Sequence, residues 1–278
     1  MQTITYDTMS KKIKGSFWKA TKDINKPTII YIHGGGLIFG NRNDLPRDYI
    51  DLFLKNGYSV FAPDYLLAPE SSYRDIVDSL KKGISYFLDH FDEFGLKNNQ
   101  YILFGRSAGA YLCMQLIASG LSPTPKALID FYGFESLLAP NLLRPNALYS
   151  SYPKVNEHEL KSLISNSPVS NSSYESRFLI YVYARQTAKW QKMIFDDGET
   201  EIKITKESFN DKFPPTYVCQ SNADPDVPFI NSIMLKEKLS NARLIPVNSK
   251  EHDFDRTVTT DTIKIYERVI AWLSDIVG

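Results

Sequence analysis

The chain has 278 residues, 43% of them hydrophobic, which suits one large α/β domain, or a domain with a small insert, around a sizeable core. Lysine plus arginine and aspartate plus glutamate both number 32, so no net field draws the chain to nucleic acid or to an anionic membrane surface. No apolar run approaches the ~20 residues of a membrane span, residues 1–14 hold no signal-peptide core, and two cysteines cannot build a disulfide framework. A cytoplasmic protein is expected, with Cys113 and Cys219 buried and reduced.

Weak alternation over residues 1–26 predicts antiparallel edge strands. A strand over 28–32 leads through a glycine run to a helix over 46–56, closed by Gly57. A strand over 58–62 precedes a helix over 74–90, where Ile76, Val77, Leu80, Ile84, Phe87 and Leu88 share one face. Next come a strand over 101–104, a helix over 108–119 stopped by Gly120, and a strand over 127–131. The alternation breaks over 134–212, where helical segments at 157–164 and 176–195 lie between Ser/Asn/Pro-rich loops. It resumes with a strand over 216–220, a helix over 229–239, a strand over 243–247 and a helix over 257–277. The strands are near-continuous apolar runs, as strands buried on both faces are. This pattern predicts an α/β fold with a mostly parallel twisted sheet and helices on both faces. Residues 1–133 and 213–278 form the core, and 134–212 form a helical cap over the C-terminal edge of the sheet.

Two short motifs carry chemistry. His33-Gly34-Gly35-Gly36 follows the first buried strand, and Gly105-Arg106-Ser107-Ala108-Gly109 follows a later one and opens a helix. Together they read as an oxyanion hole and a nucleophile elbow. A serine hydroxyl is a poor nucleophile until a base takes its proton, and it must project from a sharp strand-to-helix turn. Ser107 is therefore the expected nucleophile, and the N–H groups of Gly35, Gly36 and Ala108 are the expected oxyanion donors. The base and acid that serve such an elbow follow in the chain order Ser, acid, His. Of four histidines, only His252 follows a late strand near the C-terminus, so it is the expected base. His33 is expected to fix the glycine loop by hydrogen bonds, and His90 and His158 to be solvated. The orienting acid should follow the strand over 216–220, where Asp224 and Asp226 both stand. Asp224, three residues before Val227-Pro228, is favoured, and the other carboxylate is expected at a helix N-terminus.

At these residues the chain resembles the α/β-hydrolase superfamily, and most of all its hormone-sensitive-lipase-like and acetylesterase-type carboxylesterases. Asp64-Tyr65-Leu66-Leu67-Ala68-Pro69-Glu70 is similar to the family's D-Y-R-L-A-P-E, with Leu66 in place of arginine. The stretch from Asp224 to Pro228 is similar to its acid motif, and His252-Asp253-Phe254 stands where H-G-F is common. The family's acidic residue before the serine is here Arg106, and the aromatic that commonly follows the glycines is Leu37, with Phe39 two residues later. The resemblance implies a serine hydrolase that cleaves a small carboxylic ester through an acyl-enzyme. It is also the only ground for expecting a homodimer. No metal or organic cofactor is expected, since no metal-ligand spacing occurs and the three glycines are not a dinucleotide fingerprint. The alternatives are a non-catalytic small-molecule-binding homologue, and a peptidase or amidase on the same fold. Tyr149, Tyr152, Tyr174, Phe178, Tyr181, Tyr183 and Trp190 in the insert fit either the core of the cap or an aromatic wall for substrate.

Overall fold

The computed structural model describes residues 1–8, 11–22, 25–205 and 213–277. Its apolar runs form one sheet from β1 (Gln2–Asp7), β2 (Lys12–Trp18), β3 (Thr28–Ile32), β4 (Val60–Pro63), β5 (Tyr101–Arg106), β6 (Leu128–Phe131), β7 (Thr216–Ser221) and β8 (Ala242–Val247). The order is β1-β2-β4-β3-β5-β6-β7-β8. β1 and β2 are antiparallel to their neighbours, as the weak alternation predicts, and β4 through β8 pair in parallel.

Successive side chains of a strand point to opposite faces, and the sheet sorts them into two cores. Ile30, Ile32, Leu103, Leu128 and Val218 face one side, where α2 (Tyr73–Asp89), α3 (Ala108–Ala118) and α8 (Ile230–Lys238) pack. Ile29, Tyr31, Ile102, Phe104, Ile129 and Phe131 face the other, covered by α1 (Arg47–Lys55) and α9 (Thr260–Val277). Both cysteines are buried and free. α2 begins at Tyr73 because Ser72 caps it, in a reciprocal box with Asp75.

Between β6 and β7 the described residues hold a 3₁₀ turn (Pro140–Leu143), then α4 (Ala147–Ser150), α5 (Glu157–Leu163), α6 (Tyr174–Gln186) and α7 (Trp190–Ile194). The single helix expected over 176–195 is in fact two. Ala188 has a positive φ of 55°, which ends α6 and turns Trp190 inward. The last part of the segment, 206–212, lies outside the described residues.

This segment is tied to the first half of the chain by a buried ion pair. Arg177 on α6 donates to both Glu70 carboxylate oxygens, at 2.7 and 2.6 Å, and also to the Ile38 and Ala68 carbonyls. The two side chains are 5% and 2% exposed, so neither charge reaches bulk water. Removing one partner of such a pair leaves the other buried and uncompensated. Arg177→Met is expected to lose about 3–5 kcal/mol of unfolding free energy in urea titration. Adding Glu70→Gln to that variant should recover part of the loss, because the orphaned charge is gone.

Candidate active site

β5 ends at Arg106 and α3 begins at Ala108, so one residue makes the whole turn. Ser107 takes φ 53° and ψ −122°, a conformation L-residues rarely adopt. It is held from both sides. Its N–H donates to the Phe131 carbonyl at 2.8 Å, and its own carbonyl accepts from Ala110 at 2.9 Å and Tyr111 at 3.2 Å. Gly109 is needed for space rather than for backbone freedom, since a Cβ there would lie 2.1 Å from the Ile32 carbonyl oxygen. Ser107 alone in this turn is partly exposed, and its side chain opens into a cavity.

His252, after β8, meets the turn. Its Nε2 lies 2.8 Å from Ser107 Oγ, and its Nδ1 lies 2.7 Å from Asp224 Oδ2. A carboxylate only accepts, so Nδ1 carries the proton and Nε2 is left to accept from the serine. Asp224 Oδ1 in turn accepts from the backbone N–H groups of Asp226 at 2.8 Å and Val227 at 2.9 Å, and Gln220 Nε2 reaches Oδ2 at 3.3 Å. Burial of His252 disfavours its cation. The charge and hydrogen bond of Asp224, helped by Asp226 and Asp253, outweigh that, and the imidazole titrates above its ordinary 6.5.

Asp226, the alternative acid, does not touch His252 and does not sit at a helix N-terminus. It is buried, with Oδ2 accepting from Tyr149 at 2.8 Å and Tyr181 at 3.0 Å. Arg185 stands 2.9 Å from Oδ1 as an ion pair, off the line of a hydrogen bond. The nearest helix downstream starts four residues later, at Ile230, and the insert supplies the phenols and guanidinium that claim this carboxylate instead. Of the other histidines, His33 is buried with Nδ1 2.8 Å from the Gly34 carbonyl, His90 bonds to Tyr86 of its own helix, and His158 is exposed.

The glycine loop is aimed by its carbonyls. The Gly34 carbonyl accepts from His33 Nδ1 at 2.8 Å, and the Tyr65 hydroxyl donates to the His33 carbonyl at 2.9 Å with the Gly34 carbonyl as a longer second acceptor at 3.3 Å. The Gly35 carbonyl accepts from Ile38 and Phe39 N–H at 3.0 Å each. In a trans peptide the N–H points opposite the C=O, so these bonds direct the Gly35 and Gly36 N–H groups the other way. Those N–H groups and that of Ala108 donate to no protein acceptor among the described residues. The loop abuts the elbow, since a Cβ on Gly34 would lie 3.2 Å from Ser107 Cβ. Gly35 has φ 99°, and a Cβ there would fall 2.0 Å from the Phe39 carbonyl oxygen. Trp190 Nε1 donates to the Gly36 carbonyl at 2.9 Å, and the Tyr181 ring packs on Gly36. The supporting roles of Tyr65 and Trp190 are not readable from the sequence, because each acts across a long chain separation.

Above Ser107 lies a cavity of about 700 Å³. Phe39, Tyr149, Tyr152, Tyr174, Phe178 and Tyr181 give it an aromatic lining, and Asn41, Asp44, Lys250, Asp253 and Arg256 supply polar and charged groups, with the Arg256 guanidinium over the Tyr174 ring. Five of the seven insert aromatics thus face the cavity. Tyr183 instead bonds Glu157 and Lys189, and Trp190 is buried behind the glycine loop. Leu37 is fully buried, and Phe39 occupies the cavity wall in its stead. Among the described residues no group of three or more His, Cys, Asp or Glu side chains is placed to hold a metal ion, and no helix is long and apolar enough to cross a membrane.

Residues 17–239 match the model of the family described as BD-FAE, and the chain belongs to that family. A protein of unknown function from Staphylococcus aureus subsp. aureus Mu50 superposes with a TM-score of 0.88 at 32% identity, covering 99% of this chain and 100% of that one. An α/β-hydrolase superfamily protein from Enterococcus faecalis superposes with a TM-score of 0.82 at 28% identity, covering 95% of each chain. The fold is that of the α/β-hydrolases, as expected. The acetyl esterase of Salmonella typhi is 34% identical over 90 residues, 32% of this chain and 28% of that protein, so the match spans under a third of that relative's length.

The histidine geometry gives a direct test. In an NMR titration His252 should protonate above pH 6.5, and Asp224→Asn should lower its midpoint, because the largest opposing influence on the cation is burial. Asp226→Asn should move it less, since that carboxylate acts only from a distance.

Proposed function

We propose that this member of the BD-FAE family is a serine hydrolase of small carboxylic esters. The observation that carries the proposal is the unbroken chain from Ser107 Oγ through His252 to Asp224, beside three backbone N–H groups without acceptors among the described residues. Its likeness to an acetyl esterase over 90 residues supports the same reading.

Ser107 Oγ attacks the ester carbonyl carbon while its proton passes to His252 Nε2. The carbonyl oxygen becomes an oxyanion and accepts from Gly35, Gly36 and Ala108, the last at the positive end of α3. Each such donor is worth about 3–4 kcal/mol in the transition state. The bond from carbon to the alcohol oxygen breaks, and His252 gives its proton to that oxygen. Water then attacks the acyl-enzyme, losing a proton to His252. Carboxylic acid leaves as Ser107 recovers its proton. Asp224 holds the imidazole in one tautomer and stabilises the imidazolium.

In this reading residues 1–133 and 213–278 are the catalytic core, and the segment between β6 and β7 is the cap. The aromatic wall it supplies accommodates an apolar or aromatic portion of the ester, in a cavity with room for more than an acetyl group.

Hydrolysis of p-nitrophenyl esters from acetate to decanoate tests the proposal, with Ser107→Ala beside the wild type. Activity should fall by roughly 10⁴-fold or more in Ser107→Ala, and the chain-length optimum sizes the acyl pocket. Only neutral His252 can take the serine proton. The kcat/KM profile should therefore lose activity as pH falls through a midpoint above 6.5. A folded wild type with no turnover at any chain length, and no fluorophosphonate label on Ser107, sinks the hydrolase reading. Label without turnover means that the machinery works on another substrate.

A further inference from the structure

Arg106, immediately before Ser107, departs from the acidic residue the resemblance leads one to expect. Its guanidinium is buried on the α1/α9 side of the sheet and pairs with Asp255, which is wholly buried, at 2.7 Å. Arg106 Nε donates to the Tyr132 hydroxyl at 2.6 Å, and that hydroxyl donates to Asp255 Oδ1 at 2.5 Å. Tyr266 donates to Asp255 Oδ2 at 2.6 Å, and the Tyr31 hydroxyl accepts from Arg106 Nη1 at 3.4 Å. Asp44 lies 4.0 Å from the same guanidinium. Burying an ion pair is costly, and apolar residues of the same volume often stabilise a fold as well or better. The placement of this pair is the informative point.

The pair and the Tyr132 hydroxyl between them sit on the three pieces of chain that must be in register for the proposed chemistry. Arg106 is the residue before the nucleophile. Asp255 is three residues beyond His252. Tyr132 follows β6 with a positive φ of 46°, and its N–H donates to the Cys219 carbonyl of β7 at 2.9 Å. The Tyr132 ring stands edge-on to the His252 imidazole, with centroids 4.9 Å apart.

We propose that Arg106, Asp255 and Tyr132 form a clasp that locks the serine turn to the histidine loop and holds the His252 ring in line between Ser107 and Asp224. They are positioning residues, and the proposal rests on the hydrolase reading above. The largest charged influences on His252 are Asp224, Asp226 and Asp253, each raising its titration. Tyr132→Phe leaves all three in place and alters no charge at neutral pH. A changed titration of His252 in that variant therefore reports geometry.

The test compares wild type, Tyr132→Phe, Arg106→Lys and Arg106→Met, with rates normalised to sites labelled by a fluorophosphonate. Tyr132→Phe should lose about ten- to hundredfold in kcat per labelled site, at a KM within about twofold of wild type. Its acid limb should move to lower pH as the imidazole slips from Asp224. The low-field proton resonance of the His252–Asp224 bond should broaden or shift upfield, a readout that needs no substrate. Arg106→Lys keeps the charge opposite Asp255 and should retain more activity than Arg106→Met. If Arg106→Met does not fold, Tyr132→Phe decides alone. A Tyr132→Phe protein that only melts earlier or labels fewer sites, with rate per site, acid limb and resonance unchanged, overturns the clasp and leaves the hydrolase reading standing. A wild type that neither labels nor turns over overturns both.

Discussion

The site depends on keeping one residue in a backbone conformation it would not choose. A non-glycine residue at φ 53° and ψ −122° costs on the order of 1–3 kcal/mol, and the surrounding chain must over-determine it. Ser107 is bonded on its N–H side to β6 and on its carbonyl side to the first turn of α3. Close approach of α3 to the end of β3 requires Gly109, and close approach of the glycine loop to the elbow requires Gly34. The conformation that strains the serine also exposes it, since its neighbours Arg106 and Ala108 are buried.

Charge is distributed around this turn with two neighbouring carboxylates in opposite roles. Asp224 and Asp226 are separated by one residue and both are buried. Asp224 is held by two backbone N–H groups of its own loop, which aim its second oxygen at His252. Asp226 faces the other way and is taken up by Tyr149, Tyr181 and Arg185. One short loop thus anchors both the imidazole and the insert, and its shape couples the two.

The sheet, the elbow and the glycine loop were legible because their signals are local. A strand buried on both faces is mostly apolar, as in Thr28–Ile32, and a turn with no room for a Cβ must carry glycine. The pairing of Asp226 was not legible, because its partners lie far along the chain on α4 and α6. Nor was the break at Ala188, which is neither glycine nor proline, yet takes the positive φ that brings Trp190 beneath the glycine loop. α4 spans four residues, too few to show helical periodicity. Arg106 was visible as a departure, but its partner Asp255 gave no sign of being buried until the fold placed it.

The insert is structurally continuous with the site it borders. Its residues Leu160, Ile180 and Ile194 belong to the same apolar core as Ile30 and Leu103 of the sheet. Trp190 holds the Gly36 carbonyl, and Tyr181 touches both Gly36 and Asp226. Lifting α6 and α7 away would break the Arg177–Glu70 pair, strand Asp226 against no cation and release one of the bonds that orient the glycine loop. Each of those losses falls on a buried polar group, where an unmade bond is expensive. The segment between β6 and β7 is therefore a wall of the site rather than a cover laid over it, and the partly exposed rings of Tyr152, Tyr174 and Phe178 form the part of that wall nearest the solvent.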